Sequence, residues 1–156
     1  MTLIAPKVIA AAQAAHKAFY PLGPFASVTI AQYGVESSWG KSESGKNNFF
    51  GIKATPAQIA AGKATPRWTR EEKADGTPYS IVAYFADYDS LVDGFTAHAA
   101  LLVKPWYADC QRATTPEDYC RALQVDHYAT AINYAQTLIN VIESMGLKQY
   151  DVPIAA

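Results

Sequence analysis

Apolar residues at the start of the chain recur every three or four positions, which is the spacing of an amphipathic helix. This pattern predicts a first helix from Pro6 to about Phe19, because proline suits a first helical turn. The proline- and glycine-containing run 20–24 then ends the helix. Its core-facing side would carry Val8, Ala12, Ala15 and Phe19.

A second helix is predicted from about position 25 or 27 to Trp39, with Gly40 placed to end it. Its apolar stripe would consist of Val28, Ala31, Val35 and Trp39. Gln32 and Glu36 lie one turn apart and border that stripe. Glu36 therefore points along the edge of the core, in the last turn of the helix. The negative end of the helix dipole and the apolar neighbours Val35 and Trp39 should raise the pKa of its carboxyl group.

One β-hairpin interrupts the helical pattern. Residues 54–67 predict a loop with a short helical piece around Pro56–Ala61. In the following run, WTREEKADGTPYSIVAYF, Asp75-Gly76 is a turn signal and Ser80–Phe85 is rich in strand-forming residues. The sequence therefore predicts a β-hairpin centred on this turn.

Three further helices complete the predicted fold. Ser90 and Asp93 indicate a capping box for a helix that reaches about Val103. The run 115–118 starts a second helix, which reaches about Gln124, and a third spans about 131–145 before Gly146. The apolar face of that last helix would carry Tyr134, Leu138, Val141, Ile142 and Met145. The fold class is therefore α+β, mainly α.

Composition excludes several classes of protein. The 156 residues carry a net charge of −1, so there is no basic surface for bulk capture of nucleic acid, and the length suits a single domain over 1–156. No apolar stretch approaches the ~20 residues that a membrane-spanning helix needs. The N-terminal run predicts an amphipathic helix of the mature protein rather than a signal peptide. His16, His98 and His127 lie far apart and outside metal-binding patterns, so we expect neither a metal nor a cofactor.

The only two cysteines, Cys110 and Cys120, flank a predicted turn, QRATTPED. A local disulfide across this turn is one interpretation. Two free thiols that pack as small apolar groups are the other, and the sequence leaves both open.

Residues 31–53, AQYGVESSWGKSESGKNNFFGIK, carry the candidate chemistry. One carboxylate, Glu36, lies near the end of the helical run and is followed by Trp39 and a polar, glycine-containing loop. A lone acid, an aromatic wall and a polar loop are what a general acid in a sugar-binding cleft needs. The structural alternatives are a solvated surface glutamate, a core tryptophan and ordinary loop asparagines.

These residues belong to a set of blocks that resembles the bacterial and phage N-acetylglucosaminidase family. This group includes the muramidase-like domain of flagellar rod-assembly proteins and the glucosaminidase domains of autolysins. The resemblance covers roughly residues 5–150. It is carried by AQYGVESSWGKS at 31–42, NNFFGIKA at 47–54, WTRE at 68–71, the segments 85–90 and 95–102, and YATAINYAQTLI at 128–139.

The resemblance implies a lysozyme-like fold, in which a helical lobe and a small β-hairpin lobe enclose a glycan cleft. It assigns the general acid to Glu36 and a second carboxylate to the hairpin. The Thr-x-Glu pattern favours Glu71, whereas ungapped counting from Phe85 favours Glu72, and only one of these neighbours can face the cleft.

Tyr128 fits the family's cleft tyrosine, which would position the reacting sugar or the nucleophile, so we count it with Glu36 and Glu71 as catalytic. Tyr134 falls instead on the apolar stripe of the last helix. The chain departs from the family pattern at His127 and at Ala131-Ile132. Positions of the family motif that we assign to substrate binding are Gln32, Trp39, Asn48, Phe50, Glu72 and Tyr134.

The resemblance implies hydrolysis of the β-1,4 bond after N-acetylglucosamine, with peptidoglycan glycan strands as the partner. A lytic transglycosylase or muramidase on the same fold and a non-catalytic glycan-binding module are the alternatives. We expect a monomer made in the cytoplasm that acts in the bacterial periplasm or cell wall, as a phage endolysin or a secreted effector. A holin, a secretion machine or a cognate immunity protein would then be its delivery partner.

Overall fold

A computed structural model of the chain describes residues 3–152. Seven α-helices and one two-stranded antiparallel sheet make up the regular structure of this range. The helices are α1 Pro6–Ala18, α2 Ala26–Ser37, α3 Pro56–Ala60, α4 Leu91–Leu102, α5 Ala108–Arg112, α6 Pro116–Val125 and α7 Tyr134–Ser144. The strands are β1 Ala64–Glu72 and β2 Pro78–Ala86, and short 3₁₀ helices span Pro105–Tyr107 and Leu147–Tyr150. The predicted α+β, mainly helical fold is confirmed.

Helix α2 lies at the centre of the helical lobe. Helices α1, α6 and α7 all contact it, and Val35 and Glu36 are the two residues of α2 that are not buried. The prediction that Val35 faces the core is wrong, since this side of the last turn is open to solvent. Periodicity identified the helix, but a helix enclosed on nearly every side has no single apolar stripe.

A left-handed turn ends α2 earlier than predicted. Ser38, Trp39 and Gly40 all have positive φ, at 52°, 58° and 84°, so Trp39 lies outside the helix and folds back over it. Its ring lies against Gly34, where an added Cβ would stand only 2.5 Å from Trp39 Cζ2. Gly34 therefore makes room for the tryptophan.

The hairpin is longer than predicted at both strands. β1 begins at Ala64, before Pro66, and pairs with β2 so that Glu71 lies opposite Tyr79 and Glu72 opposite Pro78. A proline is tolerated because both strands of a two-stranded sheet are edge strands. The turn contains the predicted glycine, Gly76, at φ 85°.

The later helices follow the predictions with three differences. Ser90 Oγ accepts from Asp93 N–H at 3.1 Å, which is one half of the predicted capping box. α7 begins at Tyr134 rather than near 131, because the preceding residues form a turn. α5 and the two 3₁₀ helices were not predicted.

Both cysteines, which lie within the described residues, are buried as free thiols. Burial raises the pKa of the Cys120 thiol to about 12, and it also raises that of Cys110. The structure therefore supports the interpretation of Cys110 and Cys120 as free thiols that pack as small apolar groups, rather than as a disulfide. Among the described residues, the structure contains no helix with the length and apolarity of a membrane span.

Candidate active site

A cavity of about 250 Å³ separates the C-terminal end of α2 from the hairpin. Its lining consists of Glu36, Ser42, Glu43, Ser44, Phe49, Gly51, Arg67, Trp68, Thr69 and Phe85. A larger cavity of about 770 Å³ lies beside α1, Cys110 and Tyr119, but neither Glu36 nor any hairpin residue lines it. The smaller cavity is the candidate active site, because it combines an acid with a groove between two lobes.

Glu36 occupies the last turn of α2 at the edge of this cleft. Its Oε1 accepts a hydrogen bond from the hydroxyl of Tyr134 at 2.9 Å. Its side chain is open to solvent on one side, yet the surrounding protein removes water from the carboxyl group. Burial consequently raises the pKa of Glu36, and the hydrogen bond from Tyr134 opposes part of that rise. The predicted direction of the pKa shift is confirmed, and burial is its largest cause.

The end of α2 is held by its own backbone and by Ser37. Ser37 Oγ donates to Tyr33 O at 2.6 Å and accepts from Gly40 N–H at 2.9 Å. Trp39 N–H donates to Gly34 O at 3.1 Å. The bonds to Tyr33 O and Gly34 O satisfy carbonyl groups at the helix end, and all three bonds hold the turn that follows Glu36 in one conformation.

Tyr134 connects the acid to the interior of the helical lobe. Tyr134 is 4% exposed. Its hydroxyl accepts a hydrogen bond from Gln32 Nε2 at 3.0 Å and donates one to Glu36. The ring is buried on the stripe of α7, as the sequence indicates. However, the interpretation of Tyr134 as chiefly a packing residue is incomplete, because its hydroxyl contacts the acid directly.

Tyr128 lies in the predicted loop and stacks on Tyr134, with ring centroids 5.8 Å apart and planes inclined by 20°. Its ring also borders His98 and Tyr107. Burial and then the charge of Glu36 raise the pKa of its hydroxyl, which places Tyr128 near the acid. Within residues 3–152, however, it is Tyr134 and not Tyr128 that hydrogen-bonds to Glu36.

The two hairpin glutamates face opposite sides of the sheet, as neighbours on a strand must. Glu71 shares its face with Arg67 and Thr69, which line the cleft, although Trp68 on the face of Glu72 lines it as well. Its Oε1 accepts from Thr69 Oγ1 at 3.3 Å and lies 3.6 Å from Lys53 Nζ. Glu72 is exposed on the other face. The contacts of Glu71 with Thr69 and Lys53 and its lower exposure favour it as the second carboxylate, although neither glutamate lines the cavity.

Four residues assigned to substrate binding lie inside the protein instead, and Tyr134, at 4% exposed, is one of them. Gln32 and Asn48 are both 0% exposed, and Phe50 is 6% exposed. Asn48 Nδ2 donates to Ile52 O at 2.8 Å and to Ala86 O at 2.9 Å, and its Oδ1 accepts from Ile52 N–H at 3.1 Å. It ties the cleft loop to β2, so buried hydrogen bonding rather than sugar contact explains its position.

Phe50 packs its ring against His98, with centroids 3.9 Å apart. Burial lowers the pKa of His98 to about 3, so this histidine is neutral. The neighbours of Phe50 in the chain, Phe49 and Gly51, line the cleft in its place. Trp39 is half-buried and supports the end of α2 from outside the cavity lining.

Several cleft residues were not predicted, namely Ser42, Ser44, Phe49, Arg67 and Trp68. Arg67 Nε donates to Ser44 O at 2.8 Å and so joins the hairpin to the cleft loop. Alternation along β1 places Arg67, Thr69 and Glu71 on one face. If the sequence analysis had begun the strand at Ala64, this alternation would have identified Arg67 as a cleft residue.

Comparison with known proteins gives a consistent result. The family model described as "Mannosyl-glycoprotein endo-beta-N-acetylglucosaminidase" (Glucosaminidase) matches residues 10–147. The chain is 32% identical over 133 residues to the exo-glucosaminidase LytG of Bacillus subtilis, covering 80% of this chain and 45% of that protein. It is 35% identical over 123 residues to the peptidoglycan hydrolase FlgJ of Salmonella typhimurium, covering 74% and 38%. The chain thus spans less than half the length of these curated relatives.

Solved structures agree with the sequence relatives. The catalytic domain of the autolysin Auto from Listeria monocytogenes superposes with a TM-score of 0.78 at 35% identity, covering 93% of this chain and 84% of that one. A C-terminally truncated glycoside hydrolase domain of Salmonella typhimurium FlgJ superposes with a TM-score of 0.70 at 30% identity, covering 89% and 93%. The match extends over the helical lobe, the hairpin and the cleft between them. With its acid at the end of a buried helix and a carboxylate on the facing hairpin, this chain belongs to the glucosaminidase family.

Proposed function

We propose that residues 1–156 act as a single catalytic domain that hydrolyses the β-1,4 bond after N-acetylglucosamine in peptidoglycan glycan strands. The observation that carries this proposal is Glu36, an acid with a raised pKa at the edge of a cleft between two lobes. A carboxyl group of raised pKa keeps its proton nearer neutral pH and can donate it. Similarity to LytG, an exo-glucosaminidase, and to FlgJ, a peptidoglycan hydrolase, supports this substrate class.

In the proposed reaction, Glu36 donates its proton to the glycosidic oxygen while the bond from that oxygen to the anomeric carbon breaks. Positive charge develops on the sugar that keeps the anomeric carbon, and water adds there. Glu71 activates this water or stabilises the charge. Its contacts with Thr69, a cleft residue, and with Lys53 support its assignment over Glu72.

The cleft forms within one chain, which supports a monomer as the active species. Action in the periplasm or cell wall follows from the substrate. The delivery partners expected from the sequence, a holin, a secretion machine or an immunity protein, stay predictions, as does the choice between an endolysin and a secreted effector.

Digestion of purified peptidoglycan with analysis of the released fragments tests the proposal. We expect soluble fragments with reducing N-acetylglucosamine ends, which borohydride reduction converts into the corresponding alditol. Anhydro-sugar ends would instead identify a lytic transglycosylase, and reducing N-acetylmuramic acid ends would identify a muramidase. No release at all would favour a glycan-binding module.

The matched pair of variants for this assay is Glu36→Gln and Glu143→Gln. Glu36→Gln keeps the shape of the side chain and removes the transferable proton, so turnover should fall roughly 10²–10⁴-fold. Glu143 is exposed near the C-terminal end of α7, and Glu143→Gln should keep wild-type activity. If the Glu36→Gln variant retained more than about a tenth of wild-type activity, Glu36 would not be the general acid.

A further inference from the structure

The side chain of Gln32 is buried one helical turn before Glu36, and only one of its two polar atoms forms a hydrogen bond within the described residues. Nε2 donates to the hydroxyl of Tyr134 at 3.0 Å. Oε1 is buried and has no hydrogen-bond partner among the described residues. A buried amide oxygen without a partner is destabilising, so this side chain is not explained by packing alone.

The chain of hydrogen bonds from Gln32 to Glu36 has one direction. A tyrosine hydroxyl holds a single proton. Because the oxygen of Tyr134 accepts from Gln32, its proton is directed to Glu36 Oε1 at 2.9 Å. If Gln32 presented Oε1 instead, Tyr134 would donate to Gln32, and Oε1 of Glu36 would lose its donor.

We propose that Gln32 is a positioning residue that directs the hydroxyl of Tyr134 toward Glu36 and thereby leaves Oε2 as the oxygen that carries the transferable proton. The inference rests on the proposed function and adds a residue that never touches the substrate. With Oε1 held as an acceptor, protonation of the carboxyl group occurs at Oε2. Oε2 accepts no hydrogen bond from any residue in the described range and is free to face the sugar.

The same chain adjusts the pKa of the acid. The hydrogen bond from Tyr134 favours the ionised form of Glu36 and offsets part of the rise that burial causes. An incoming hydrogen bond polarises a hydroxyl and strengthens the bond that it donates. Gln32 therefore lowers the pKa of Glu36 through Tyr134. The other titratable or charged groups that face Glu36 are Tyr128, Glu43 and Arg67, and they are identical in every variant compared below.

The test is a titration of the Glu36 carboxyl group by carbon NMR, with selectively labelled glutamate and assignment by the Glu36→Gln variant. Gln32→Met keeps the length and volume of the side chain and removes both polar atoms. We expect the pKa of Glu36 to rise by roughly 0.2–0.6 pH unit, which corresponds to a strengthening of about 10–30% of a hydrogen bond to a charged group. Turnover should fall roughly 3–10-fold with an unchanged KM, as for a group that acts on the chemical step.

Thr29→Val is the matched control. Thr29 lies one turn earlier on α2, is 0% exposed, and its Oγ1 is likewise buried without a partner in the described part of the chain. It contacts neither Tyr134 nor Glu36 by hydrogen bond within residues 3–152. The pKa of Glu36 should stay within about 0.1 pH unit of the wild-type value in this variant, because no hydrogen bond to the acid changes.

A double-mutant comparison shows whether Gln32 acts through Tyr134. In a Tyr134→Phe background, Gln32→Met should leave the pKa of Glu36 unmoved. Three outcomes would overturn the inference. Gln32→Met could shift the pKa of Glu36 equally with and without the Tyr134 hydroxyl, could lower this pKa, or could leave it unchanged in the single variant. The titration needs no substrate. A shift in pKa without glycan hydrolysis would therefore refute the proposed function alone, and hydrolysis without the shift would refute this inference alone.

Discussion

The hydroxyl of Tyr134 can be removed without disturbing the ring that carries it. In Tyr134→Phe the buried ring remains on the stripe of α7, while two hydrogen bonds disappear, one to Glu36 at 2.9 Å and one from Gln32 at 3.0 Å. The substitution therefore separates the packing role predicted for this residue from the role that the structure adds. The two roles have different expected effects.

The magnitude follows from the kind of hydrogen bond that is lost. A hydrogen bond to an ionised group is worth about 1.5–3 kcal/mol, which corresponds to roughly one to two pH units. Tyr134 donates to Glu36 and favours its ionised form, so without the hydroxyl the pKa of Glu36 rises further. The alkaline limb of the pH–rate profile, where the general acid loses its proton, should move upward by at most that amount, because water can replace the hydroxyl at a side chain that is open to solvent. Stability should fall by about 1–3 kcal/mol, since Gln32 Nε2 is left buried without a partner.

Turbidity loss of cell-wall suspensions across pH 4–9 and denaturant unfolding measure both quantities. We expect turnover at the optimum to fall about tenfold, because Glu36 loses the contact that orients it. Tyr128→Phe is the matched control, since Tyr128 stacks on Tyr134 but makes no hydrogen bond to Glu36 in the described structure. If the alkaline limb stayed in place in Tyr134→Phe and moved in Tyr128→Phe, the two tyrosines would have exchanged roles and the mechanism would need Tyr128 at the acid.

Three further predictions concern other parts of the site and its support. Glu71→Gln should reduce activity substantially more than Glu72→Gln, because the two residues face opposite sides of the hairpin; a larger loss at Glu72 would reverse the assignment. Glu36→Gln should be at least as stable as wild type at pH 7. Because the pKa of Glu36 is raised in the folded state, its contribution to the free energy of unfolding is fully present below its ordinary pKa of 4.5 and is lost as pH rises through the folded pKa. This difference should vanish in melts at pH 4. Asp151→Ala should cost roughly 0.5–2 kcal/mol in denaturant unfolding, since Asp151 accepts from Ser27 N–H at 2.8 Å and from Ser27 Oγ at 2.5 Å at the start of α2; an unchanged midpoint would contradict this capping role.

Local signals in the sequence predicted most of the fold. Pro6, the helix start at 115–118 and the turn at Gly76 each act within a few residues, so each was identified from neighbouring positions. The start of β1 was missed because Pro66 argues against a central strand, whereas both strands here are edges. Val35 was misplaced because periodicity assumes one buried side, and α2 is enclosed on almost all sides.

The candidate site was predicted less completely, for a different reason. Glu36 was found from its own motif, but its contact with Tyr134 joins positions 98 residues apart in the chain. Nothing in the local pattern distinguishes a tyrosine whose ring is buried from one whose hydroxyl also emerges beside an acid. Motif membership likewise did not separate Phe49, which lines the cleft, from Phe50, which packs beneath it.

The end of α2 combines three local features that each oppose stability. Ser38 and Trp39 adopt left-handed conformations, which cost non-glycine residues about 1–2 kcal/mol each. Glu36 is desolvated enough for its pKa to rise, and Gln32 carries a buried amide oxygen without a partner in the described structure. Such departures persist only where the surrounding fold holds them in place, and they concentrate at functional sites. All three features fall within residues 32–39, around Glu36, so the physical chemistry of α2 supports the proposal that Glu36 is the functional acid without reference to any relative.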